Sequence, residues 1–132
     1  MNSCCVLGLG YIGLPTAALF STKGFDVLGV DINLDIVNKV NKGISPIQEP
    51  SLEDEIQNSV KSGNLKASSK PNYADIFVIA VPTPIKSGSK IPQPDLEYVE
   101  TAIESIIPFL KKYNRIDEMV DELIDYRKEL RS

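Results

Sequence analysis

The chain has 132 residues, 42% of them hydrophobic and 24% charged, with a formal net charge of -4. This is enough apolar material for one core, which excludes a chain disordered throughout, and the acidic balance argues against nucleic acid as the main partner. Histidine is absent, which excludes a Ser-His-Asp triad and a histidine-held metal, and no apolar run reaches the roughly 18 residues of a membrane span.

The first residues, Met1-Asn2-Ser3-Cys4-Cys5, lack the basic region of a secretory signal, so a cytoplasmic location is expected. Residues 4–9 form a short apolar run that suits a strand buried on both faces, as in a parallel sheet. Neighbours on a strand point to opposite faces, so Cys4 and Cys5 make a poor disulfide and a poor metal pair and read as small buried hydrophobes. Leu14 to Lys23 reads as a helix, with Pro15 in its first turn and Gly24 as its stop. Residues 26–31 read as a second strand, Asp35 to Lys42 as a second helix closed by Gly43, and residues 44–50 as a loop.

Ser51 opens a third helix in a capping-box pattern, with Asp54 as the acid three residues on, and Gly63 ends that helix. Leu65 to Ser68 is a weak third strand, and Asp75 to Val81 is the strongest strand signal in the chain. Residues 82–95 carry Pro82, Pro84, Pro92 and Pro94 and must form a loop. Asp95 then caps a fourth helix running to about Lys112. From Arg115 to Ser132 there are six acidic and four basic side chains, and Ile116, Met119, Val120, Leu123, Ile124 and Leu130 recur at helical spacing.

Strands alternating with helices predict an α/β fold of Rossmann-like type, a parallel sheet with helices on its faces. Right-handed crossovers place the strands in the order 3-2-1-4. No fifth apolar, β-branched segment follows, so the sheet is expected to stop at four strands. The expected organisation is a nucleotide-binding domain over residues 1–112 and a charged amphipathic helix over 113–132. That helix would cover the sheet edge left by a missing fifth strand or, in a second reading, pair two copies into a homodimer.

The chemistry sits in Gly8-Leu9-Gly10-Tyr11-Ile12-Gly13. A lone G-x-G-x-x-G is weak, but this one follows a predicted strand and opens a predicted helix within a βαβ unit. Gly8 would permit the tight turn, Gly10 would let a pyrophosphate approach the backbone, and Gly13 would let helix and strand pack closely. The helix N-terminus would offer N–H groups and a partial positive charge to phosphates. The bland alternative is a strand–helix turn that binds nothing.

Asp31 ends the second predicted strand, 18 residues after Gly13, where an acid accepts hydrogen bonds from an adenosine ribose. A carboxylate there repels a 2′-phosphate and so favours NAD over NADP. FAD and S-adenosylmethionine sites use similar geometry, so these residues alone leave the nucleotide open, and an acid there could instead cap the following turn. Val81-Pro82-Thr83-Pro84 follows the strongest strand, beside the expected switch in strand order, where Thr83 could bond a cofactor or simply be solvated.

Together these residues resemble the NAD-dependent nucleotide-sugar dehydrogenases, a family that includes UDP-glucose and UDP-N-acetylmannosamine dehydrogenases. The matching stretches are residues 8–15, 29–33, 49–52, 80–84 and 94–96, in the family's order, and the likeness covers residues 4 to about 112. The Gly10-Tyr-Ile-Gly-Leu-Pro-Thr-Ala17 run, Val30-Asp-Ile-Asn33 and Tyr98-Val99-Glu100 look most like the UDP-N-acetylmannosamine branch. The resemblance implies oxidation of a sugar C6 alcohol to a carboxylate with two NAD reduced. It also implies that NAD binds the first half and the UDP-sugar a C-terminal half. It makes Gly8, Gly10, Tyr11, Ile12 and Gly13 the pyrophosphate loop and Asp31 the ribose acid. Ile32 and Asn33 would lie beside the adenosine, and Val81, Pro82 and Thr83 would line the cofactor.

Two departures qualify that expectation. Family members often carry a basic side chain shortly after the ribose acid, where this chain has Leu34, Asp35, Ile36 and Val37. The family's catalytic lysine, asparagine and thiol lie beyond the matched stretch, and Cys4 and Cys5 precede the glycine loop and cannot replace that thiol. The expectation is therefore an NAD-binding part, with no catalytic residue of its own, that meets a UDP-sugar only with a C-terminal half. The alternative is a Rossmann protein acting as an interaction module.

Overall fold

A computed structural model describes residues 2–88, 90–110 and 116–131, the last helix by its backbone alone as far as residue 123. The chain divides into two compact units, Met1–Pro82 and Thr83–Ser132.

The first unit runs β1 (Ser3–Leu7), α1 (Gly13–Thr22), β2 (Asp26–Val30), α2 (Leu34–Asn41), α3 (Leu52–Lys61), β3 (Leu65–Ser68) and β4 (Ile76–Ile79). The four strands form one parallel sheet in the expected order β3-β2-β1-β4. β1 is central and reads as a buried strand because it is one: Cys4, Cys5, Val6 and Leu7 are each at most 4% exposed. Parallel strands connected by helices are covered on both faces, so an unbroken apolar run rather than an alternating one is the correct signature.

The core gathers Val6, Leu9, Leu14, Val27, Val40, Ile56 and Leu65 around Ala17 and Ala18 of α1. Burying each large aliphatic side chain contributes about 1.5–3 kcal/mol, which is how short strands of four or five residues are held in register. Phe20 and Phe25 meet edge to face at 5.1 Å where α1 hands the chain to β2.

Two polar staples finish the sheet. The carboxylate of Asp75, just before β4, accepts the Asn2 and Ser3 N–H groups at 3.1 Å and the Ser3 hydroxyl at 2.9 Å, and so fixes the start of β1 beside β4. On the opposite edge, the Asn41 side chain pairs with Ala67 of β3: its Nδ2 donates to the Ala67 carbonyl at 2.9 Å and its Oδ1 accepts the Ala67 N–H at 2.8 Å. This amide takes the place of a neighbouring strand.

The second unit holds α4 (Glu97–Leu110), α5 (Ile116–Arg131) and the proline-rich loop, which is tied by a bridge between Ile85 and Pro94. Asp95 accepts the Glu97 N–H at 3.0 Å and so satisfies the first amide of α4 from one residue before the N-cap position, which Leu96 fills. α5 is a helix, as its spacing predicts, and lies against α4: Arg127 pairs with Glu104, and Arg131 donates twice to Glu100, at 2.7 and 3.0 Å. The expected end of the fourth helix at Lys112 and the boundary between residues 112 and 113 lie outside the described residues.

Three expectations need correcting. The capping box at Ser51 does not form. Ser51 sits in the left-handed region at φ 66° and its hydroxyl makes no cap hydrogen bond; three acids, Glu53, Asp54 and Glu55, offset the helix dipole instead. β1 stops at Leu7 rather than residue 9, because Gly8 turns to φ 98° and ends the extended run. β4 spans only Ile76–Ile79: Asp75 turns its carboxylate to Ser3 at one end, and at the other the ladder closes with the Ala80 N–H on the Leu7 carbonyl at 2.7 Å.

Candidate functional site

The carboxyl ends of β1 and β2 lie side by side, and the residues that leave them form the site. Gly8 donates its N–H to the Val30 carbonyl at 2.8 Å, the last backbone rung between the two strands. Beyond that rung a side chain takes over: Leu9 N–H donates to Asp31 Oδ2 at 2.9 Å, and Asn33 N–H donates to Asp31 Oδ1 at 2.9 Å. The Asp31 backbone is itself held to the end of β3, its N–H reaching the Ser68 carbonyl at 3.2 Å. Both carboxylate oxygens are thus oriented by N–H donors, and each keeps a lone pair for an outside hydroxyl.

The three motif glycines have different physical reasons to be glycine. Gly8 has φ 98°, and a Cβ there would stand 2.5 Å from the Ala80 carbonyl oxygen. A Cβ on Gly13 would run into the Gly8 carbonyl. Gly10 has neither excuse: its φ is not in the left-handed region, and nothing lies within 4 Å of the space a Cβ would fill. Of the eight glycines it alone is explained by neither backbone conformation nor protein packing. A bare backbone facing open space is what an incoming phosphate requires.

The helix behind this loop is equally prepared. α1 opens with N–H groups of Tyr11, Ile12 and Gly13 that have no acceptor among the described residues. Its first turn carries no acid, whereas those of α2, α3 and α4 do. Pro15 has no N–H to leave unpaired. The positive end of α1 is therefore left for an external anion, and the residues fit a pyrophosphate.

The remaining expected residues lie in the loop itself or follow β2 and β4 in the chain. Tyr11 and Ile12 are 70% and 73% exposed at its tip, and Ile32 is 81% exposed just past Asp31. An exposed isoleucine between two hydrogen-bonded polar residues presents an apolar surface of the kind that receives a flat ring. Asn33 caps α2 by accepting the Asp35 N–H at 3.0 Å, so its side chain is committed to the helix. Val81 backbone lies against Gly8, with its nitrogen 3.0 Å from where a Gly8 Cβ would be, and Pro82 is exposed beside it. Thr83 is exposed and begins the second unit. Among the described residues no cluster could hold a metal ion.

Two contributors escape a reading by motif. Leu9, an unspecified position in the pattern, is fully buried, and Gly29 in β2 makes room for it: a Cβ on Gly29 would stand 2.9 Å from Leu9 Cδ2. A lone glycine inside a strand signals a close approach, and that was the available clue.

Comparison with known proteins agrees with this geometry. Residues 2–119 match the model of the UDP-glucose/GDP-mannose dehydrogenase family, NAD binding domain. The chain is 49% identical over 115 residues to a UDP-N-acetyl-D-mannosamine dehydrogenase of Campylobacter jejuni, covering 87% of this chain and 28% of that protein. It is 50% identical over 107 residues to the enzyme of that name from Escherichia coli strain K12, covering 81% of this chain and 25% of that one. Among solved structures, the UDP-N-acetyl-mannosamine dehydrogenase of Staphylococcus aureus superposes with a TM-score of 0.81 at 36% identity, over 92% of this chain and 33% of that one. The chain therefore spans about a quarter of the length of the curated relatives it matches.

Proposed function

Because the chain belongs to the UDP-glucose/GDP-mannose dehydrogenase family, through that family's NAD binding domain, we propose that its glycine loop and Asp31 bind NAD as the cofactor part of a UDP-sugar 6-dehydrogenase. Gly10 carries the reading. It is the one glycine whose missing side chain the protein's own structure does not explain, and it lies between Asp31-anchored Leu9 and the open N-terminus of α1.

In this reading the backbone of Gly10, Tyr11 and Ile12 and the first turn of α1 take the pyrophosphate. Asp31 accepts the two adenosine ribose hydroxyls on lone pairs left by Leu9 and Asn33. Ile32 offers its apolar surface to the adenine, and Val81 and Pro82 line the cofactor just past β4. The absence of a basic side chain at positions 34–37 leaves a 2′-phosphate facing Asp31 and Asp35 with nothing to neutralise it, which supports NAD over NADP. Bound NAD supplies a hydride acceptor; this stretch supplies binding and orientation.

The substrate proposed is a UDP-sugar oxidised at C6, UDP-N-acetyl-D-mannosamine in particular, on the strength of the relatives' names and their 49–50% identity. The oxidation needs groups that these 132 residues do not carry. Their only thiols, Cys4 and Cys5, are buried in β1 and pushed up to about 11 by that burial, so neither is a nucleophile. The chain by itself should therefore bind NAD without turnover. Calorimetric titration with NAD and NADP tests the reading: saturable binding of NAD with much weaker NADP binding is expected, and equal affinity for the two would contradict it.

A further inference from the structure

We infer that Asp31 is also a positioning residue for the pyrophosphate loop, acting through the Leu9 N–H, so that one carboxylate sets both arms of the site. This rests on the NAD reading above and adds a role that a ribose contact alone does not require.

The observation is a change of partner at the end of a sheet ladder. Gly8 pairs with the Val30 backbone at 2.8 Å. The next amide along the loop, Leu9, meets the Asp31 side chain at 2.9 Å. Leu9 is then the anchor immediately before Gly10 and is gripped from two directions: its side chain is buried over Gly29, and its N–H is held by the carboxylate. Asp31 in turn is braced by Asn33 and by the end of β3. Gly10 has no side chain to pack, and its backbone is held from two sides, by Leu9 before it and by the Leu14 N–H, which donates to the Gly10 carbonyl at 3.0 Å, so a shift of Leu9 is passed on to it. Removing the carboxylate leaves a part-buried N–H without an acceptor, and the backbone must turn to find one in water.

The two possible roles of Asp31 predict opposite signs for a ligand that has no ribose. A carboxylate that only touched the ribose would repel an anion on the adjacent loop, so its loss would tighten the binding of inorganic pyrophosphate. A carboxylate that positions the loop would, on removal, weaken it. The experiment is an NMR titration of the 132-residue chain with inorganic pyrophosphate, for wild type, Asp31→Ala and Asp31→Asn, together with amide hydrogen exchange at Leu9. Asp31→Asn keeps the side-chain shape and one carbonyl acceptor, which provides a folded variant should Asp31→Ala fail to fold. We expect pyrophosphate to bind at least threefold more weakly to Asp31→Ala, with a smaller loss in Asp31→Asn, and Leu9 exchange to speed up at least tenfold. Unchanged or tighter pyrophosphate binding, or an unchanged Leu9 exchange rate, overturns the inference. A wild-type chain that takes up neither NAD nor pyrophosphate sinks the cofactor reading itself, and Leu9 exchange then decides the anchoring separately.

Discussion

The carbonyl of Gly8 occupies the place where a side chain on Gly13 would begin. The start of the loop and the start of α1 are therefore packed directly on one another, while the space that a side chain on Gly10, between them, would fill is empty. The same motif letter thus carries two kinds of constraint, and they separate experimentally.

Gly13→Ala should destabilise the fold by about 3 kcal/mol, because backbone rather than a flexible side chain must move to admit the methyl group. Gly10→Ala should leave stability unchanged or raise it by up to about 1 kcal/mol, since its conformation suits alanine and the space is open. Urea unfolding of the two variants checks this. Equal losses at both positions would show that Gly10 is also a packing glycine.

Asp31→Ala should lower NAD affinity on the order of 10–100-fold, the effect of losing charge-assisted hydrogen bonds to a ribose. It should also narrow the preference for NAD over NADP, because the repulsion of a 2′-phosphate goes with the carboxylate. Paired calorimetric titrations with both nucleotides measure the two effects. A variant that keeps the wild-type ratio of affinities would remove Asp31 from the discrimination.

Asn41→Ala should cost about 1–2 kcal/mol and increase aggregation. It strips the outer edge of β3 of the amide that pairs with Ala67 and leaves an N–H and a carbonyl open to another strand. Chemical denaturation and light scattering at matched concentration test both halves of the statement.

Burial raises the Cys4 and Cys5 thiols from 9.0 to about 11 in the folded chain. Below pH 9 both states hold these protons and the thiols do not affect the balance. As pH rises from 9 towards 11 the unfolded thiols ionise first, so unfolding releases protons and stability falls. The loss of stability between pH 8 and 10.5 should be smaller in a Cys4→Ala/Cys5→Ala variant than in wild type. In the folded wild type at pH 8, both thiols should react with an alkylating agent only as fast as the chain opens.

Much of this architecture is legible in the sequence because its signals are local. The apolar run at Cys4–Leu7, the glycines at 24, 43 and 63 and the acid at 31 each mark an element or its end, and β3 falls at Leu65–Ser68 as read. Right-handed crossovers, taken with the doubly-wound pattern, then give the order of the strands. What the sequence hides is what depends on distant partners or on backbone angles. The capping pattern at Ser51 names suitable residue types but not the φ of 66° that turns the hydroxyl away. Asp75 looks like the first residue of a strand until Ser3, 72 residues earlier, is seen to hold it. The motif gives Leu9 no role because its partners, Gly29 and Asp31, lie on the next strand and just past it. Gly10 looks like its neighbours in the motif, and only the empty space around it sets it apart.

The most direct test of the account is a calorimetric titration of NAD into wild type and Gly10→Ala, with folding of both checked by circular dichroism. Wild type should bind NAD saturably, and Gly10→Ala at least tenfold more weakly, by about 1.4 kcal/mol, while folded and no less stable. Wild type that shows no saturable binding up to millimolar NAD, or Gly10→Ala that binds as tightly as wild type, would contradict it.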